Sequence, residues 1–353
     1  MLEALQMQAP ISVRINTQKT VSKPGLATAV PWCENGYYLP ERPLFAADPA
    51  FHAGHYYVQE AGSMVVGSIV KNLLSALPEP AVVLDLCAAP GGKSTHLASV
   101  LREGDMLVAN EVIGTRTPIL AENLCKWGAG NHIVSRADAS RFGASGAQFD
   151  IVVADLPCSG EGMFRKDPAA IDEWSENNVK LCAERQQRIV TDIWPAIAPG
   201  GYLIYSTCTY NTAENEDNVN RLAETLGADI LQPKFLGKEA FYCLQDGMFR
   251  AFPNKTQARF FCGRNAKNWG GHNLQSNLKK PHQGHTCFTS WIAQKHASGG
   301  NPTGSLGHAH PEPGFMAANI GYPARHLCGR NSHGTDFSWK METGYSGGTV
   351  AGF

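Results

Sequence analysis

The segment AVVLDLCAAPGGKSTHLA (81–98) constrains the fold more than any other part of the chain. An unbroken apolar run ends in an acid, adjacent glycines follow, and an amphipathic segment begins. A run that is apolar at every residue reads as a strand covered on both faces, and a strand that turns tightly into a helix is the unit of a parallel sheet. The pattern then repeats. MLVANE (106–111), HIVSRAD (132–138), FDIVVADLP (149–157) and GYLIYSTCT (201–209) read as further strands, and residues 115–128 and 178–197 between them have helical periodicity. Residues 81–257 are therefore predicted to form an α/β domain around a doubly wound, Rossmann-like sheet.

Residues 1–80 read as a small α+β N-terminal domain. ISVRINT (11–17) alternates as a half-buried strand does, VPWCENGYYLPERP (30–43) is turn-rich and aromatic, and QEAGSMVVGSIVKNLL (59–74) has helical spacing. A net charge of −1 over 353 residues excludes a global positive field. The chain has neither an opening basic-plus-apolar segment nor an apolar run of roughly twenty residues, so neither a secretion signal nor a membrane span is expected. Ten cysteines without CxxC pairs or Cys/His metal spacing fit a cytoplasmic enzyme with reduced thiols and no metal.

The glycine turn is the first candidate site. Gly91 and Gly92 let backbone approach a ligand, and the helix that follows offers free N–H groups. A phosphate would call for GxxxxGK[ST]; Gly92-Lys93-Ser94 supplies the end of that pattern, but Cys87 stands at its first glycine. A nucleoside is the other candidate. Glu111 ends the second strand about 20 residues past the turn, where doubly wound folds place an acid on ribose hydroxyls. Asp138 and Asp155 end the third and fourth strands at the same rim. Each acid alone reads as a loop cap; together with the turn they outline a pocket.

Two cysteines form the second candidate. Cys158, in ADLPCSGEGMF, and Cys208, in YSTCTYN, lie just past strand ends among small polar residues and turn formers. If those strands are neighbours, both thiols face one crevice. A lone cysteine in an apolar strand is more often inert core; a pair at one rim suits covalent catalysis.

DLCAAPGGKS, NEV, RAD, DLPCSGEG and STCTY, in this order, resemble the Sun-type RNA cytosine-5 methyltransferases over roughly residues 1–258. VPWCENGYYLPERP, YYVQEAGSM and CSGEGMFRKDP are similar to the bacterial branch called ribosomal RNA small subunit methyltransferase F. DLPCSG stands where DAPCSG is commoner. The resemblance implies a methyltransferase sheet that binds S-adenosyl-L-methionine through Cys87, Ala88, Ala89, Pro90, Gly91, Gly92 and Lys93, with Glu111, Asp138 and Asp155 completing the pocket. It implies RNA as partner, with small-subunit ribosomal RNA as the substrate, and a monomer is expected. Cys208 is the implied nucleophile at carbon 6 of cytosine. Cys158 then serves removal of the carbon 5 proton and release, and Asp155 stands near ring nitrogen 3. Lys93, Arg165 and Lys166 are expected RNA contacts. Arg14, with Lys19, Lys23 and Arg42, is expected to form a basic patch for RNA. A transfer RNA substrate is the alternative within the class. A noncatalytic RNA-binding ribosome-assembly factor is the alternative outside it, and the presence of both cysteines beside an unbroken glycine turn argues against that.

Both ends depart from the resemblance. Met1 falls inside the N-terminal domain, so a truncated start is expected. Residues 1–258 hold 21 Lys+Arg and 28 Asp+Glu, whereas 259–353 hold 9 and 3, with eight of the twelve histidines. One codon choice for Arg259–Trp269, read one base on, gives a strand like the family's last. Residues 258–353 are therefore expected to be a frameshifted, poorly ordered Gly/His-rich tail that costs the sheet its final strand, the alternative being a native basic tail for RNA or metal.

Overall fold

Two sheets organise the chain. The computed structural model describes residues 9–20, 25, 27–165, 167, 169–235, 237–243, 247–252 and 288–295, with backbone alone for 288–292. All lie within one compact unit, Met1–Met316.

The N-terminal sheet is antiparallel, in the order β2-β3-β1-β4. Its strands are β1 (Ile11–Ile15), β2 (Thr28–Ala29), β3 (Gly36–Leu39) and β4 (Tyr56–Val58). Strand β3 lies inside the stretch read as turn-rich. Its GYYL run pairs with β1, setting Tyr37 opposite Val13, a cross-strand aromatic pairing with a β-branched residue that outweighs the flanking turn formers. A short helix, α1 (Pro49–His52), is capped by Asp48, which accepts from Ala50 N at 2.9 Å. Helix α2 (Val65–Leu74) buries Val65, Val66, Ile69, Val70 and Leu74.

The large sheet follows the predicted alternation. Its elements are β5 (Val82–Asp85), α3 (Gly92–Val100), β6 (Met106–Asn110), α4 (Thr117–Trp127), β7 (His132–Ser135), α5 (Ala139–Ala144), β8 (Phe149–Asp155), α6 (Ala169–Glu173), α7 (Glu176–Ile193), β9 (Ile197–Thr207), α8 (Glu216–Leu226), β10 (Ala228–Leu231), β11 (Tyr242–Cys243), β12 (Phe249–Ala251) and β13 (Phe288–Lys295). The order is β11-β12-β13-β9-β8-β5-β6-β7, with β10 also pairing β13. Strands β5 to β9 are parallel to one another. Val83, Leu84, Ile151, Val152, Leu203 and Ile204 are fully buried, because helices cover both faces. Helices α2, α3 and α4 pack on one face, and α5, α7 and α8 on the other. Burying each such aliphatic side chain is worth about 1.5–3 kcal/mol. The chain steps outward from β5 to β6 and β7, then returns to β8 on the other side of β5. The carboxyl ends of β5 and β8 thus flank a topological switch point, where doubly wound sheets bind ligands.

The stretch expected to lack a final strand supplies one. Phe288–Lys295 runs antiparallel to β9, with Ser290 opposite Ser206, and fills the place between β9 and the β10 and β12 edge. FTSWIAQK is rich in strand formers, which the charge and histidine shift around it obscures. The remainder of 258–353 lies outside the described residues. Among the described residues no helix is long and apolar enough to cross a membrane.

Arg14 joins the two sheets. Its side chain is only 1% exposed. Nε donates to Gln59 Oε1 at 2.9 Å and Nη2 to Thr95 Oγ1 at 2.6 Å, and the guanidinium lies 4.3 Å from the Trp127 ring centre. Burial pulls its pKa down to about 10, which leaves it charged at neutral pH. The expectation that Arg14 contacts RNA is thereby corrected: its donors are spent beneath α3. Arg14→Met leaves Gln59 and Thr95 without their donor. It should cost about 2–4 kcal/mol, the scale of losing charged hydrogen bonds from buried partners, read as a lower urea midpoint. An unchanged midpoint with weakened RNA binding would restore the original expectation.

Candidate active site

The glycine turn is built by local constraints. Leu86 N pairs with Val153 O, Ala88 N with Asn110 O at 2.8 Å and Gly91 N with Ala88 O at 2.8 Å. Gly91 caps α3 at φ +110°, a conformation that a side chain would strain. The carbonyls of Ala89 and Pro90 are held from α4 and its approach by Arg116 (2.6 Å) and Asn123 (2.8 Å). Residues 86–91 therefore form a fixed cradle with α3 starting behind it.

Carboxylates surround the cradle. Glu111 is buried; its Oε1 accepts from Ile113 N at 2.9 Å and its Oε2 from Ala89 N at 3.3 Å. Asp138 caps α5 by accepting from Ser140 N (3.1 Å) and Ser140 Oγ (2.7 Å), and these contacts hold its pKa low. Asp85 is fully buried, which pushes its carboxyl up to about 7 even though Ser94 Oγ donates to Oδ2 at 2.6 Å. Its Oδ1 has no hydrogen-bond partner among the described residues. An orphaned buried acceptor is what a ligand N–H or O–H would satisfy. Burial, then the negative charges of Asp155, Asp85 and Glu111, push the Cys87 thiol up. A cradle set among acids fits a neutral diol or a cationic group and opposes a phosphate, so the residues present fit a nucleoside sulfonium better than a nucleotide.

The two thiols meet beside this cradle. Cys158 Sγ and Cys208 Sγ are 3.1 Å apart and half-buried, and both are free thiols. The contact with Cys208, together with burial, raises Cys158 well above the ordinary thiol range, so Cys158 stays protonated. Asp155 Oδ2 receives Lys93 Nζ at 2.7 Å, and its Oδ1 receives Ser206 Oγ at 2.8 Å. Burial opposes the Lys93 charge, but Asp155, Asp85 and Cys208 outweigh it and hold the ammonium above the ordinary lysine value. Lys93 thus links cradle and thiols.

The structure brings Cys87–Lys93, Glu111, Asp155, Cys158 and Cys208 to one rim, with Asp138 capping a neighbouring helix there. Among the described residues, the other expected RNA-binding cations have their side chains buried or turned to protein groups. Arg165 is 3% exposed, and burial lowers its pKa, so it too is corrected from an open RNA contact to a buried side chain. Lys19 donates to Ala53 O (2.9 Å) and Lys126 O (2.6 Å), while Arg42 lies over the Phe45 ring. Lys166 and Lys23 lie outside the described residues.

Several groups at the rim have structural roles that the sequence motifs do not announce. Asn110 ties three strand ends, donating to Leu86 O (3.0 Å) and Ala137 O (2.9 Å) while Ala137 N donates to its Oδ1 (2.9 Å). Glu161 and Glu214 are buried acids in the two thiol loops. Glu161 falls within DLPCSGEG with no role attached to it there, and the sequence hint of Glu214 is an acid six residues after Cys208.

Comparison with known proteins agrees with this geometry. Residues 73–264 match the profile of the 16S rRNA methyltransferase RsmB/F family, and residues 1–61 that of the N-terminal domain of 16S rRNA methyltransferase RsmF. The chain is 34% identical over 301 residues to the ribosomal RNA small subunit methyltransferase F of Serratia proteamaculans, an alignment covering 79% of this chain. The chain spans 61% of that relative's length. A methyltransferase homolog protein from Pyrococcus horikoshii shares the fold, with a TM-score of 0.59 and 24% identity over 83% of this chain and 88% of that one. So does NSun6 from Pyrococcus horikoshii with SFG, with a TM-score of 0.63 and 18% identity over 83% and 93% of the two chains. With more than half of its length matched, and with the cradle and the paired thiols in place, the chain belongs to the 16S rRNA methyltransferase RsmB/F family.

Proposed function

We propose that this chain methylates carbon 5 of a cytosine in small-subunit ribosomal RNA, with S-adenosylmethionine as methyl donor and Cys208 as covalent nucleophile. The observation that carries this reading is the 3.1 Å contact between Cys158 and Cys208, beside a lysine–aspartate pair at the switch point. Family membership supports both the donor and the RNA class.

Carbon 5 of cytosine is a poor nucleophile. Attack by the Cys208 thiolate forms a sulfur–carbon 6 bond and shifts the double-bond electrons toward carbon 5 and the ring nitrogens. Lys93, steadied by Asp155, sets positive charge beside this negative charge as it develops. The cradle of Cys87–Lys93 with Glu111 would hold S-adenosylmethionine, which would supply an electrophilic methyl group to carbon 5, its sulfur–methyl bond breaking to leave the neutral thioether. Cys158 lies 3.1 Å from Cys208 and so stands beside carbon 5 once that sulfur is bonded to carbon 6. With its own proton passed to solvent, Cys158 can accept the one on carbon 5. The released electron pair rebuilds the ring double bond, the sulfur–carbon bond breaks, and its pair returns to Cys208. Reaching both thiols requires the cytosine to leave its stack.

Cys208→Ala should lower 5-methylcytosine formation on small-subunit RNA by about 10³-fold or more, as nucleophile deletions do. Cys158→Ala should form the bond and fail to release it, leaving a protein–RNA band on a denaturing gel. Full activity in Cys208→Ala would overturn the assignment. Asp155→Asn weakens the hold on Lys93 and should reduce turnover by about 10²-fold, the scale of a displaced acid–base group; single-turnover kinetics should locate the loss in the chemical step. Unchanged single-turnover rates would remove the pair from the mechanism.

A further inference from the structure

The loops that carry the two thiols follow β8 and β9, and among the described residues neither has regular structure between its sulfur and the next helix outside one short turn at Glu161–Met163. Something must hold Cys158 against Cys208. Backbone contributes one link, Gly162 N to Cys208 O at 2.8 Å. Ser159 Oγ also meets Thr209 Oγ1 at 3.1 Å and accepts from Asn211 Nδ2 at 3.3 Å, and two carboxylates arranged reciprocally add the further links. Glu214, on the Cys208 loop, reaches across to the residue after Cys158: its Oε2 accepts from Ser159 N at 3.0 Å, and its Oε1 from Ser159 Oγ. Glu161, on the Cys158 loop, reaches back: its Oε2 accepts from Tyr210 N at 2.7 Å. Asn211 bridges them, its Nδ2 donating to Glu214 Oε1 at 2.7 Å and to Glu161 Oε1 at 3.1 Å. Gln186 on α7 donates to Glu214 Oε2 at 2.9 Å and to Pro157 O at 3.0 Å, and Trp174 Nε1 donates to Glu161 Oε1 at 3.2 Å.

Both acids are buried, at 0% and 3% exposure. Burying two carboxylates is costly unless donors surround them. Among the described residues every hydrogen bond to either acid comes from an N–H or O–H, an arrangement that suits the ionised form, which only accepts, and works against the burial that raises the Glu214 pKa.

We propose that Glu161 and Glu214 are positioning residues, a reciprocal carboxylate clasp that fixes the distance between Cys158 and Cys208. The clasp acts through Ser159, Tyr210 and Asn211 and leaves the reacting atoms untouched. Its contribution to turnover rests on the proposed methyltransfer, whereas its hold on the two sulfurs does not.

The test uses the full chain and the near-isosteric Glu161→Gln and Glu214→Gln. In each variant an amide N–H faces a donor whichever way the amide turns. The first readout is the rate at which diamide joins Cys158 to Cys208, followed by peptide mass mapping. Diamide takes two electrons and two protons from the thiols, leaving a disulfide and its own hydrazine form. The native chain should close this bond readily, and both variants at least about tenfold more slowly, because an ångström of displacement costs on the order of 10²-fold in proximity-driven reactions. The second readout is kinetic: kcat for RNA methylation should fall with KM for RNA unchanged, a split that general loosening of the fold would not give. Should Glu214→Gln not fold, Glu161→Gln decides alone. Disulfide formation within twofold of native in a folded variant overturns the proposal. Slowed disulfide formation in variants of a chain that methylates no RNA supports the clasp and removes the proposed function instead.

Discussion

The parallel register between β8 and β9 is the constraint on which the site depends. It sets Asp155 opposite Ser206, and the two side chains seal that pairing with a 2.8 Å hydrogen bond. Leu156 N continues the ladder to Ser206 O at 2.9 Å before the strands part. Cys158 and Cys208 then emerge three and two residues past this pair, which brings two sulfurs distant in sequence into contact. A slip of one residue would turn every side chain to the opposite face and separate the aspartate from its serine. The register is secured in turn by the aliphatic run on β8 and β9, buried under helices on both sides.

Charge placement follows from the same frame. Asp85, Glu111 and Asp155 converge because three parallel strands end at one rim, and their combined field is felt at Cys87. Lys93 on Asp155 and Arg116 beside Glu111 are the cations that answer it, with Lys93 set at the start of α3 behind the Gly91 cap. Arg14 secures the other side of α3 to the N-terminal sheet. The small domain thus supports the helix that carries Lys93. Its buried arginine is a structural tie between sheets.

Most of this frame was legible in the residues. Strands β5 to β9 announce themselves as apolar runs, the cradle as adjacent glycines, and the thiols as cysteines among turn formers. Four features were not. Strand β3 lies among prolines and glycines, and only its partner β1 shows why GYYL extends. Strand β13 sits in a stretch whose charge and histidine content point away from a sheet, while its own eight residues favour one. The fates of Arg14 and Arg165 depend on tertiary burial, because a basic residue in a strand or turn carries no mark of which way it will face. Glu161 and Glu214 escaped for the same reason: an acid becomes a clasp only when another loop offers it donors.

The division of labour between the two sulfurs is the central claim, and one measurement reaches it directly. Small-subunit RNA containing 5-fluorocytosine presents carbon 5 with fluorine in place of the proton that must leave, so the adduct persists after methyl transfer. Incubation with the chain and S-adenosylmethionine, followed by nuclease and protease digestion and mass spectrometry, identifies the sulfur that carries the nucleotide. The account predicts the modified base on the peptide containing Cys208, with Cys158 unmodified. A modified base on Cys158 would contradict it.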